Sequence, residues 1–441
     1  MLRLLCLLSV CLSVCVSDVD KAWAKFRQKK YTSFIITEGV GEDGEPIETI
    51  EDTVNDLKRK EEKARFTNFK KTFSLIEETN KGQKDFQADV NDFADYSESE
   101  WEVNLFGLNM TRRAEEEGMF APEEAGVSSE GAPDSVNWVE KGKVTGIKFQ
   151  GVCGSCWAFA AISVLESHYA IYGGSLKFMS EQQLLDCVYP DEDACQGGWY
   201  SDGWVAIRSR LYNSLPTETS YQYLGSTTQC VRQRGDNALV AANVDYPQIV
   251  SVPYSDQQSG PIYDQDLANA VAIGPVAVAM RVVSTFKVYK GGLYTEQNCK
   301  SGNPNHAVVV VGYTPERFKI RNSWGTSWGE KGYAWFDRRV QNQCWIAKWA
   351  EYPKLTDTGK PDEKKSEDPC QSLTCLNRGV CAPSKDKRTA RCFCPIGFEG
   401  DNCEAKACVD VIKRCPKPAS KKCRNKKYQT KCPVTCGSCY N

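Results

Sequence analysis

The sequence predicts an α+β protein, and three observations lead to that class. A helical pattern runs from Cys156 to Gly174, and a second helical pattern follows from Ser180. After residue 245 the pattern changes to short apolar, β-branched runs that are typical of strands. Beyond residue 370 the cysteines are dense enough to staple small modules. A helical half followed by a strand half predicts a body whose functional groups meet between the halves.

The individual elements follow from local signals. The first helix is apolar at most positions and stops at Gly173 and Gly174. Cys156 is therefore expected at or near a helix N-terminus, where about half a positive charge is concentrated. The second helix has Ser180 as its expected N-cap. Strands are predicted over residues 276–280, 306–313 and 318–322.

The composition is ordinary for a globular protein except in its cysteines. Charged residues make up 25 %, hydrophobic residues 41 %, and the formal net charge is −2, so nothing global indicates a nucleic-acid or membrane partner. Twenty-two cysteines favour an oxidising, secretory compartment over the cytosol.

Residues 1–17 are predicted to be a secretory signal peptide. Arg3 precedes an apolar run that reaches Val16, and Cys15 and Ser17 are small residues before a cut after Ser17. A membrane anchor is the alternative, but a span needs roughly 20 apolar residues. Removal of the segment leaves nineteen cysteines, an odd number that implies one free thiol.

Residues 18–130 are predicted to be mostly helical, with the best helix from Asp52 to Asn80. One stripe of that helix holds residues spaced three or four apart, namely Glu61, Arg65, Phe69, Thr72, Ile76 and Asn80. The stripe resembles the ERFNIN signature of cathepsin-type propeptides, with Thr72 where the family has Asn. The run Asn91-Asp92-Phe93-Ala94-Asp95 resembles a second propeptide motif. The resemblance implies an inhibitory propeptide, and an unrelated helical hairpin is the alternative.

The acidic segment that follows Gly107 is expected to be mobile and open to proteolysis. The activation cut is therefore placed between about Ala125 and Ala132. Asn109 heads the only glycosylation sequon of the chain, so glycosylation is predicted there, in the discarded part.

The run Cys153-Gly154-Ser155-Cys156-Trp157 resembles the local signature of papain- and cathepsin-type cysteine proteases. Residues 132–138 resemble the start of a mature cathepsin. The resemblance implies a papain-like, two-lobed protease domain over residues 131–350, with a helical lobe and a β-barrel-like lobe. It also implies a cysteine endopeptidase that is made as a zymogen.

The candidate catalytic residues follow from what a thiol needs. A thiol of ordinary pKa, near 8.5, is mostly protonated at neutral pH and needs a base or cation beside it. Of the two histidines, His168 lies within the helix after Cys156 and is expected to be structural. The resemblance implies that His306 pairs with Cys156, which would lower the thiol pKa to about 3–4 as in papain. It further implies that Asn322 orients the imidazole and that Gln150 joins the N–H of Cys156 in an oxyanion hole. Each residue taken alone also has a structural explanation.

The resemblance implies substrate-binding residues as well. Gly197 and Gly198 allow close backbone approach, and in the family this strip pairs with the extended substrate. Trp324 would shield the histidine–asparagine bond from water. Trp199 would line the pocket for the substrate residue that precedes the one contributing the scissile carbonyl group. Trp349 would stand at its floor, making the pocket shallow and selective for small or medium apolar side chains. Two histidines are too few for a cathepsin-B-like histidine loop, so an endopeptidase is favoured.

The resemblance implies a disulfide partner for every cysteine after residue 17 except Cys156. In the body the implied pairs are Cys153–Cys195, Cys187–Cys230 and Cys299–Cys344. Residues 351–369 are charged and proline-containing and are predicted to be a linker.

Two cysteine-dense modules follow the linker. Residues 370–403 resemble an EGF-like domain, with the implied pairs Cys370–Cys381, Cys375–Cys392 and Cys394–Cys403. Residues 408–439 resemble a ShK toxin-like (ShKT) domain, with the implied pairs Cys408–Cys439, Cys415–Cys432 and Cys423–Cys436. No calcium site, other metal site or cofactor is predicted.

The expected partners are protein and peptide substrates and the chain's own propeptide. From Cys408 onward nine Lys and Arg residues stand against one Asp, so the tail is a candidate for binding acidic glycans, matrix or a channel. A solvated, stapled tail is the third possibility. The alternative function is a secreted adhesion or channel-binding protein that acts through these modules. The expected location is the secretory pathway, with action outside the cell or in a lysosome-like compartment.

Overall fold

The computed structural model describes residues 18–31, 48–111, 123–124, 132–172, 175–189, 192–209, 211, 215–231, 237–239, 248–255, 264–296, 298–355, 380–383, 390–393 and 401–402. These residues fall into two compact units. The first unit lies within Met1–Leu176, Ala194–Asp202 and Gln248–Lys354, and the second lies within Lys177–Asp193, Gly203–Pro247 and Leu355–Asn441.

The structure describes eight helices. They are α1 (Asp18–Tyr31), α2 (Glu48–Gly82), α3 (Glu98–Asn104), α4 (Cys156–Ile171), α5 (Glu181–Cys187), α6 (Tyr200–Ser209), α7 (Gln265–Ile273) and α8 (Ser284–Lys287). The three helices predicted individually from the sequence are α2, α4 and α5, and their ends lie within a few residues of the predicted ones. Short 3₁₀ turns lie at Ala194–Gln196, Asn298–Lys300 and Gln343–Trp345. Ser180 caps α5 as predicted, because its Oγ accepts a hydrogen bond of 3.1 Å from the Gln183 backbone N–H.

The strands are mostly short. They are β1 (Phe86–Ala88), β2 (Glu123–Glu124), β3 (Val136–Asn137), β4 (Leu215–Pro216), β5 (Asn237–Leu239), β6 (Gln248–Ser251), β7 (Val276–Met280), β8 (Tyr289–Tyr294), β9 (His306–Tyr313), β10 (Arg317–Arg321), β11 (Tyr333–Asp337), β12 (Ala350–Lys354), β13 (Val380–Pro383) and β14 (Ala390–Phe393). The three strands predicted from the sequence are β7, β9 and β10.

The first unit is built around one sheet with the strand order β1-β8-β11-β10-β9-β7-β12-β6-β2, and β3 also pairs with β9. Neighbouring strands are antiparallel except β8 with β11 and β2 with β6, which are parallel. All residues of β7 and β9 are buried. This burial follows from their nearly continuous apolar sequences, which leave no polar face for solvent. His306, the first residue of β9, is thereby placed at one end of the buried centre of the sheet.

Helix α4 packs against β7, β9 and β12, and every residue from Cys156 to His168 is buried. A helix that is apolar on nearly all sides is expected to lie inside the protein. His168 is structural, as predicted, since its Nε2 bonds to the Pro275 carbonyl oxygen at 2.8 Å. Burial lowers the pKa of His168 to about 4, against the opposing effect of that carbonyl.

A buried polar network ties α4 to β10. Glu166 in α4 is fully buried, and its carboxylate accepts hydrogen bonds from Thr145 and, at 2.9 Å, from Lys148. Arg321 in β10 donates to the Thr145 hydroxyl at 3.1 Å and to the Ser163 hydroxyl in α4. A buried carboxylate is tolerated only with such partners. The network therefore holds the helix that begins at Cys156 in register with the strands that carry His306 and lead to Asn322.

The N-terminal region, residues 18–111, has an aromatic cluster where α1 meets α2. The ring centroids of Trp23 lie 5.7 Å from Phe26, 5.4 Å from Phe66 and 5.2 Å from Phe69. Phe69 is fully buried, so its place on the predicted helical stripe corresponds to a core position.

Two other stripe residues make polar contacts within the N-terminal region. Asn80 bonds both backbone groups of Ala88, donating at 2.9 Å and accepting at 2.8 Å. Arg65 pairs with Glu100 at 2.7 Å, and Glu100 forms a capping box with Ser97 at the start of α3. Glu100 has a lowered pKa, because the Ser97 hydrogen bonds and Arg65 outweigh burial, which acts in the opposite direction.

The N-terminal region joins the main sheet directly. Strand β1 pairs with β8 in antiparallel register, Phe86 opposite Gly292. Asn91, from the second predicted propeptide motif, donates to the Lys287 carbonyl at 2.7 Å. Phe93 of the same motif packs edge-on against Trp324, with ring centroids 6.2 Å apart. This region is therefore fastened close to the predicted catalytic residues.

The second unit has its own polar centre. The Asp186 carboxylate accepts hydrogen bonds from the Tyr221 hydroxyl at 2.7 Å, the Thr228 backbone N–H at 2.6 Å and Gln182 at 2.9 Å. Burial and the hydrogen bond to Asp186 raise the pKa of Tyr221. Strands β13 and β14 form an antiparallel hairpin in which Cys381 is opposite Cys392.

The structure changes two predictions, the start of the linker and the absence of structure in the acidic segment after Gly107. Residues 351–354, assigned to the linker by composition, continue β12, which pairs with β6 and β7. The segment after Gly107 is not wholly without structure, because Glu123–Glu124 form β2 beside β6. Charged residues hid both features. Strand β2 lies at an edge of the sheet, where charge on the solvent side is tolerated. Strand β12 lies inside the sheet, and its Glu351 is buried where it accepts the hydrogen bond of the Trp199 indole. The signal peptide, the cut region 125–131 and the ShKT-like module lie outside the described residues.

Candidate active site

Cys156 is the first residue of α4, and it is the one free cysteine among the residues that the structure describes. Its loop is held by the Cys153–Cys195 disulfide and by a hydrogen bond of 3.0 Å from the Gly154 N–H to the Cys195 carbonyl. The thiol sulfur lies 3.4 Å from the backbone nitrogen of Ala307, which donates to it. The start of the helix and the start of β9 thus meet at this sulfur.

His306 immediately precedes that contact and is fully buried. Its Nε2 lies 2.9 Å from Asn322 Oδ1, which also accepts from the Ser323 N–H at 2.8 Å. Because the Asn322 oxygen is an acceptor in both bonds, Nε2 carries the proton and Nδ1 is the basic nitrogen of the neutral ring. The Trp324 ring covers this pair at 4.7 Å from the imidazole and is itself fully buried.

Gln150 is held beside the same loop. Its N–H bonds the Ser323 carbonyl at 2.9 Å, and its side-chain oxygen accepts from the Ser323 hydroxyl at 2.7 Å. The side-chain amide nitrogen then points at two carbonyl oxygens, Cys153 at 2.9 Å and Leu105 at 3.2 Å. A donor held by two bonds and aimed at a carbonyl oxygen has the geometry that stabilises developing negative charge.

Residues 105–109 of the N-terminal region cover this site. Gly107 accepts from the Gly198 N–H at 3.0 Å, and the Asn109 N–H donates back to the Gly198 carbonyl at 3.0 Å. The Leu108 N–H donates to the Asn305 carbonyl at 3.3 Å. Gly197 has φ +112°, and a Cβ on it would approach the Gly107 carbonyl oxygen to 2.9 Å. The glycine strip is therefore occupied by an extended backbone, the kind of ligand predicted for it.

Residues 132–354 match the papain family cysteine protease model. The chain belongs to the papain family of cysteine proteases. Residues 55–101 match the cathepsin propeptide inhibitor domain, and residues 370–402 match an EGF-like domain. The cysteine peptidase, the propeptide and the EGF-like module predicted from the sequence are thereby confirmed.

Relatives and solved structures agree with this assignment. Digestive cysteine proteinase 2 of Homarus americanus is 35 % identical over 298 residues, which cover 65 % of this chain and 86 % of that protein. Cathepsin L of Sarcophaga peregrina is 33 % identical over 285 residues, covering 62 % and 80 %. The structure of digestive procathepsin L 3 from the Tenebrio molitor larval midgut is 27 % identical with a TM-score of 0.59, covering 77 % of this chain and all of that one. The predicted papain-like α+β fold, with helical and sheet-rich lobes, is confirmed.

The three body disulfides of the protease are Cys153–Cys195, Cys187–Cys230 and Cys299–Cys344, the pairs that the family resemblance implied. The described residues hold no cluster of His, Cys, Asp and Glu arranged to bind a metal ion. None of the helices in the described ranges is long and apolar enough to span a membrane.

The two tryptophans predicted to line a substrate pocket, Trp199 and Trp349, lie together. Trp199 is fully buried, and its indole N–H donates to the Glu351 carboxylate at 3.1 Å. Trp349 is partly exposed and meets Trp199 edge-on, with ring centroids 6.5 Å apart. The Trp349 carbonyl is held by the Ala279 N–H at 3.2 Å. Nothing in the spacing of the sequence indicated the supporting residues Glu351 and Ser323, because each acts across more than 150 residues of chain.

The covered site of the protease is electrically neutral. Burial raises the pKa of the Cys156 thiol to about 11, although the N–H groups of Ala307 and Gly107 act in the opposite direction. Burial also lowers the pKa of His306 to about 4, against the effects of Asn322 and the nearby Leu105 carbonyl. The low thiol pKa expected for a papain-type site is therefore not a property of this state. Beneath the propeptide, water is excluded and neither charged form is solvated.

Acid should loosen the propeptide from the site. In a Cys156→Ser zymogen no thiolate–imidazolium pair can form, so above pH ~6.5 His306 is neutral whether the site is covered or open, and the covered state keeps its full stability. As the pH falls from ~6.5 toward 4, the open site binds a proton that the covered site does not. The His306 pKa is about 4 in the covered site against ~6.5 in the open one. Well below pH 4 this difference shifts the equilibrium from the covered toward the open site by about 3 kcal/mol, or roughly 10²-fold.

Hydrogen exchange of residues 105–109 measures this opening in the Cys156→Ser zymogen, with rates corrected for the intrinsic effect of pH. Exchange should accelerate as the pH falls through 6 and 5. The acceleration should largely vanish in a Cys156→Ser/His306→Asn zymogen and persist in Cys156→Ser/His168→Gln. An acid response that survives His306→Asn unchanged would contradict the assignment.

Proposed function

We propose that the protein is a secreted cysteine endopeptidase, made as a zymogen, that hydrolyses peptide bonds through Cys156, His306 and Asn322. The observation that carries this proposal is the meeting of three features at one buried point. They are the free thiol at a helix N-terminus, the imidazole whose Nε2 is bonded to Asn322 at 2.9 Å, and the amide of Gln150 aimed at a carbonyl oxygen.

The proposed reaction begins once the propeptide has left. Cys156 and His306 then exchange a proton to give a thiolate and an imidazolium, favoured by the helix N-terminus. The thiolate attacks the scissile carbonyl carbon, and the developing oxyanion accepts hydrogen bonds from Gln150 and the Cys156 N–H. His306 Nδ1 gives its proton to the leaving amine as the C–N bond breaks, which leaves a thioester on Cys156.

Hydrolysis of the thioester completes the cycle. His306 Nδ1 removes a proton from water, the hydroxide attacks the acyl carbon, and the thiolate leaves. Asn322 holds the ring so that Nδ1 stays directed at both reactions, and Trp324 keeps water from competing for the Asn322 bond. In the zymogen the Leu105 carbonyl oxygen accepts from Gln150, so it stands in for the substrate oxygen and supports the proposed role of that amide.

Active-site titration tests the proposal. After acid activation, an epoxide thiol inhibitor should label one equivalent of Cys156 and abolish peptide cleavage in the same proportion. The unprocessed Cys156→Ser protein is the control and should neither be labelled nor cut peptides. An acid-processed, folded protein that is not labelled at any pH would rule out the proposed enzyme.

We also propose that the pocket beside Gly198 selects small or medium apolar side chains. The edge-on placement of Trp349 against the buried Trp199 supports a short pocket. Sequencing of the products from a peptide library would check this selectivity. A preference for Phe or Tyr over Val and Ala, at the substrate position before the residue that carries the scissile carbonyl, would refute it.

Secretion and the role of the tail extend the proposal. The run ending at Ser17, the glycosylation sequon at Asn109 and three body disulfides support passage through the secretory pathway, to the outside or to a lysosome-like compartment. The basic charge of residues 408–439 supports binding to acidic glycans or matrix. Elution of the full-length protein from heparin at no more salt than its Lys→Gln tail variant would refute glycan binding.

A further inference from the structure

A cavity of about 410 Å³ lies next to the candidate active site, between the protease body and the propeptide. Arg281, Val282, Ser284, Lys287 and Asn305 line its body side. Asn305 immediately precedes His306, so the cavity opens beside the imidazole. Propeptide residues Glu98, Glu102, Phe106 and Leu108 close it from the other side. Removal of the propeptide would leave a groove whose body wall carries two cations.

Lys287 is the central charge of that wall. Its side chain is 7 % exposed, and its Nζ pairs with the carboxylate of Glu98 from the propeptide. The Nζ also lies 5.2 Å from the ring centroid of Trp101 and 5.8 Å from that of Phe106. Among the described residues, no carboxylate of the body is paired with it. The zymogen therefore supplies the acidic partner that the mature enzyme lacks.

Arg281 adds a second donor to the same wall. Its side chain packs over Gly302, and one guanidinium nitrogen reaches the Asn303 carbonyl at 3.4 Å. Its Nε is buried and has no hydrogen-bond partner among the residues that the structure describes. A buried donor without a partner carries an energetic cost that an acceptor entering the cavity would relieve.

The position of the cavity fixes which part of a substrate would reach it. Phe106 lies 6.3 Å from the His306 ring and 5.8 Å from Lys287 Nζ, so one side chain spans the imidazole and the cation. His306 is the proton donor to the leaving amine in the proposed reaction, whereas the acyl part lies along Gly198. The residues that follow the scissile bond would therefore enter the cavity.

We infer that Lys287, assisted by Arg281, makes the mature protease prefer acidic side chains at the first or second position after the scissile bond. The inference rests on the proposed function. Glu98 of the propeptide is then a pseudo-substrate carboxylate, which pairs with Lys287 until activation. A lysine beside valines on the wall of this groove would bind a carboxylate better than a neutral amide, because its ammonium donates a charge-assisted hydrogen bond to the carboxylate.

Quenched peptides of one sequence, varied to Glu, Gln or Lys at these two positions, test the inference with the acid-activated full-length protein. The enzyme concentration is set by epoxide titration, and mass spectrometry verifies that one bond is cut. At one of the two positions kcat/KM should fall in the order Glu, Gln, Lys, with Glu favoured over Gln on the order of fivefold to tenfold. Lys287→Gln should abolish the preference, Lys287→Arg should retain it, and Lys287→Glu should favour Lys.

Two controls separate this inference from the proposed function. Lys290→Gln changes an exposed lysine of β8 and should leave the preference intact. An aryl amide substrate has no amino-acid residue after the scissile bond. The wild-type enzyme and the variants Lys287→Gln, Lys287→Arg and Lys290→Gln should therefore all cut it at the same rate. Equal rates for Glu and Gln peptides, with the aryl amide still cut, would overturn the pocket assignment alone. Loss of cleavage of every substrate by titratable wild-type enzyme would overturn the proposed function and this inference with it.

Discussion

Replacement of His306 with alanine is expected to lower kcat/KM for peptide cleavage by about 10⁴-fold. The imidazole has two tasks in the proposed cycle, since it protonates the leaving amine and then deprotonates water. Its removal also takes away the cation that would stabilise the Cys156 thiolate. His168 cannot substitute for it, because that ring is bonded to the Pro275 carbonyl within the core. Initial rates on an aryl amide, with the mutant proform cleaved in trans by another protease, measure the loss.

Asn322→Ala gives the matched comparison. It removes the 2.9 Å bond that orients the ring but leaves the imidazole present, so a loss of about 10- to 10²-fold is expected. The double variant should be no slower than His306→Ala alone, because Asn322 acts only through the ring. A His306→Ala enzyme within tenfold of wild type, or a double variant much slower than the single one, would contradict the assigned roles.

Gly107→Ala is expected to break the latency of the zymogen, with activity before processing raised by about 10- to 10²-fold. A Cβ on Gly107 would overlap the carbonyl oxygen and carbonyl carbon of Gly154. Both atoms belong to the backbone of the loop just before Cys156, so no side chain can rotate away. Overpacking typically costs about 1–3 kcal/mol, and here the propeptide can relieve it by leaving the site.

Gly82→Ala is the control for this prediction. Gly82 ends helix α2, and a Cβ there meets no atom within 4 Å, so the same chemical change should leave latency unaltered. Activity is followed in the first minutes at neutral pH, with a gel to show that the proform is still intact. Equal latency of the two variants would show that residues 105–109 do not cover the thiol as described.

Much of the architecture could be predicted because its signals are local. Helix α4 follows from a long apolar segment that begins at Cys156 and from the two glycines, Gly173 and Gly174, that end the helical pattern. The buried strand β9 follows from an unbroken apolar run. The cap at Ser180 is a hydrogen bond between residues only three positions apart, so the sequence shows both partners directly. The pairing of Cys156 with His306 required more, namely a family resemblance, because 150 residues of chain separate them.

The sequence by itself determined the class of protein, the free thiol and the short list of residues around it. Only the tertiary structure decided their electrostatics. The thiol pKa is high and the His306 pKa low because propeptide backbone displaces water from both groups, an effect that no composition or spacing carries. The Lys287–Glu98 pair, 189 residues apart, likewise exists only because β1 and α3 bring the propeptide against α8. Local patterns specify the elements, whereas burial and long-range contact specify what each charged group does.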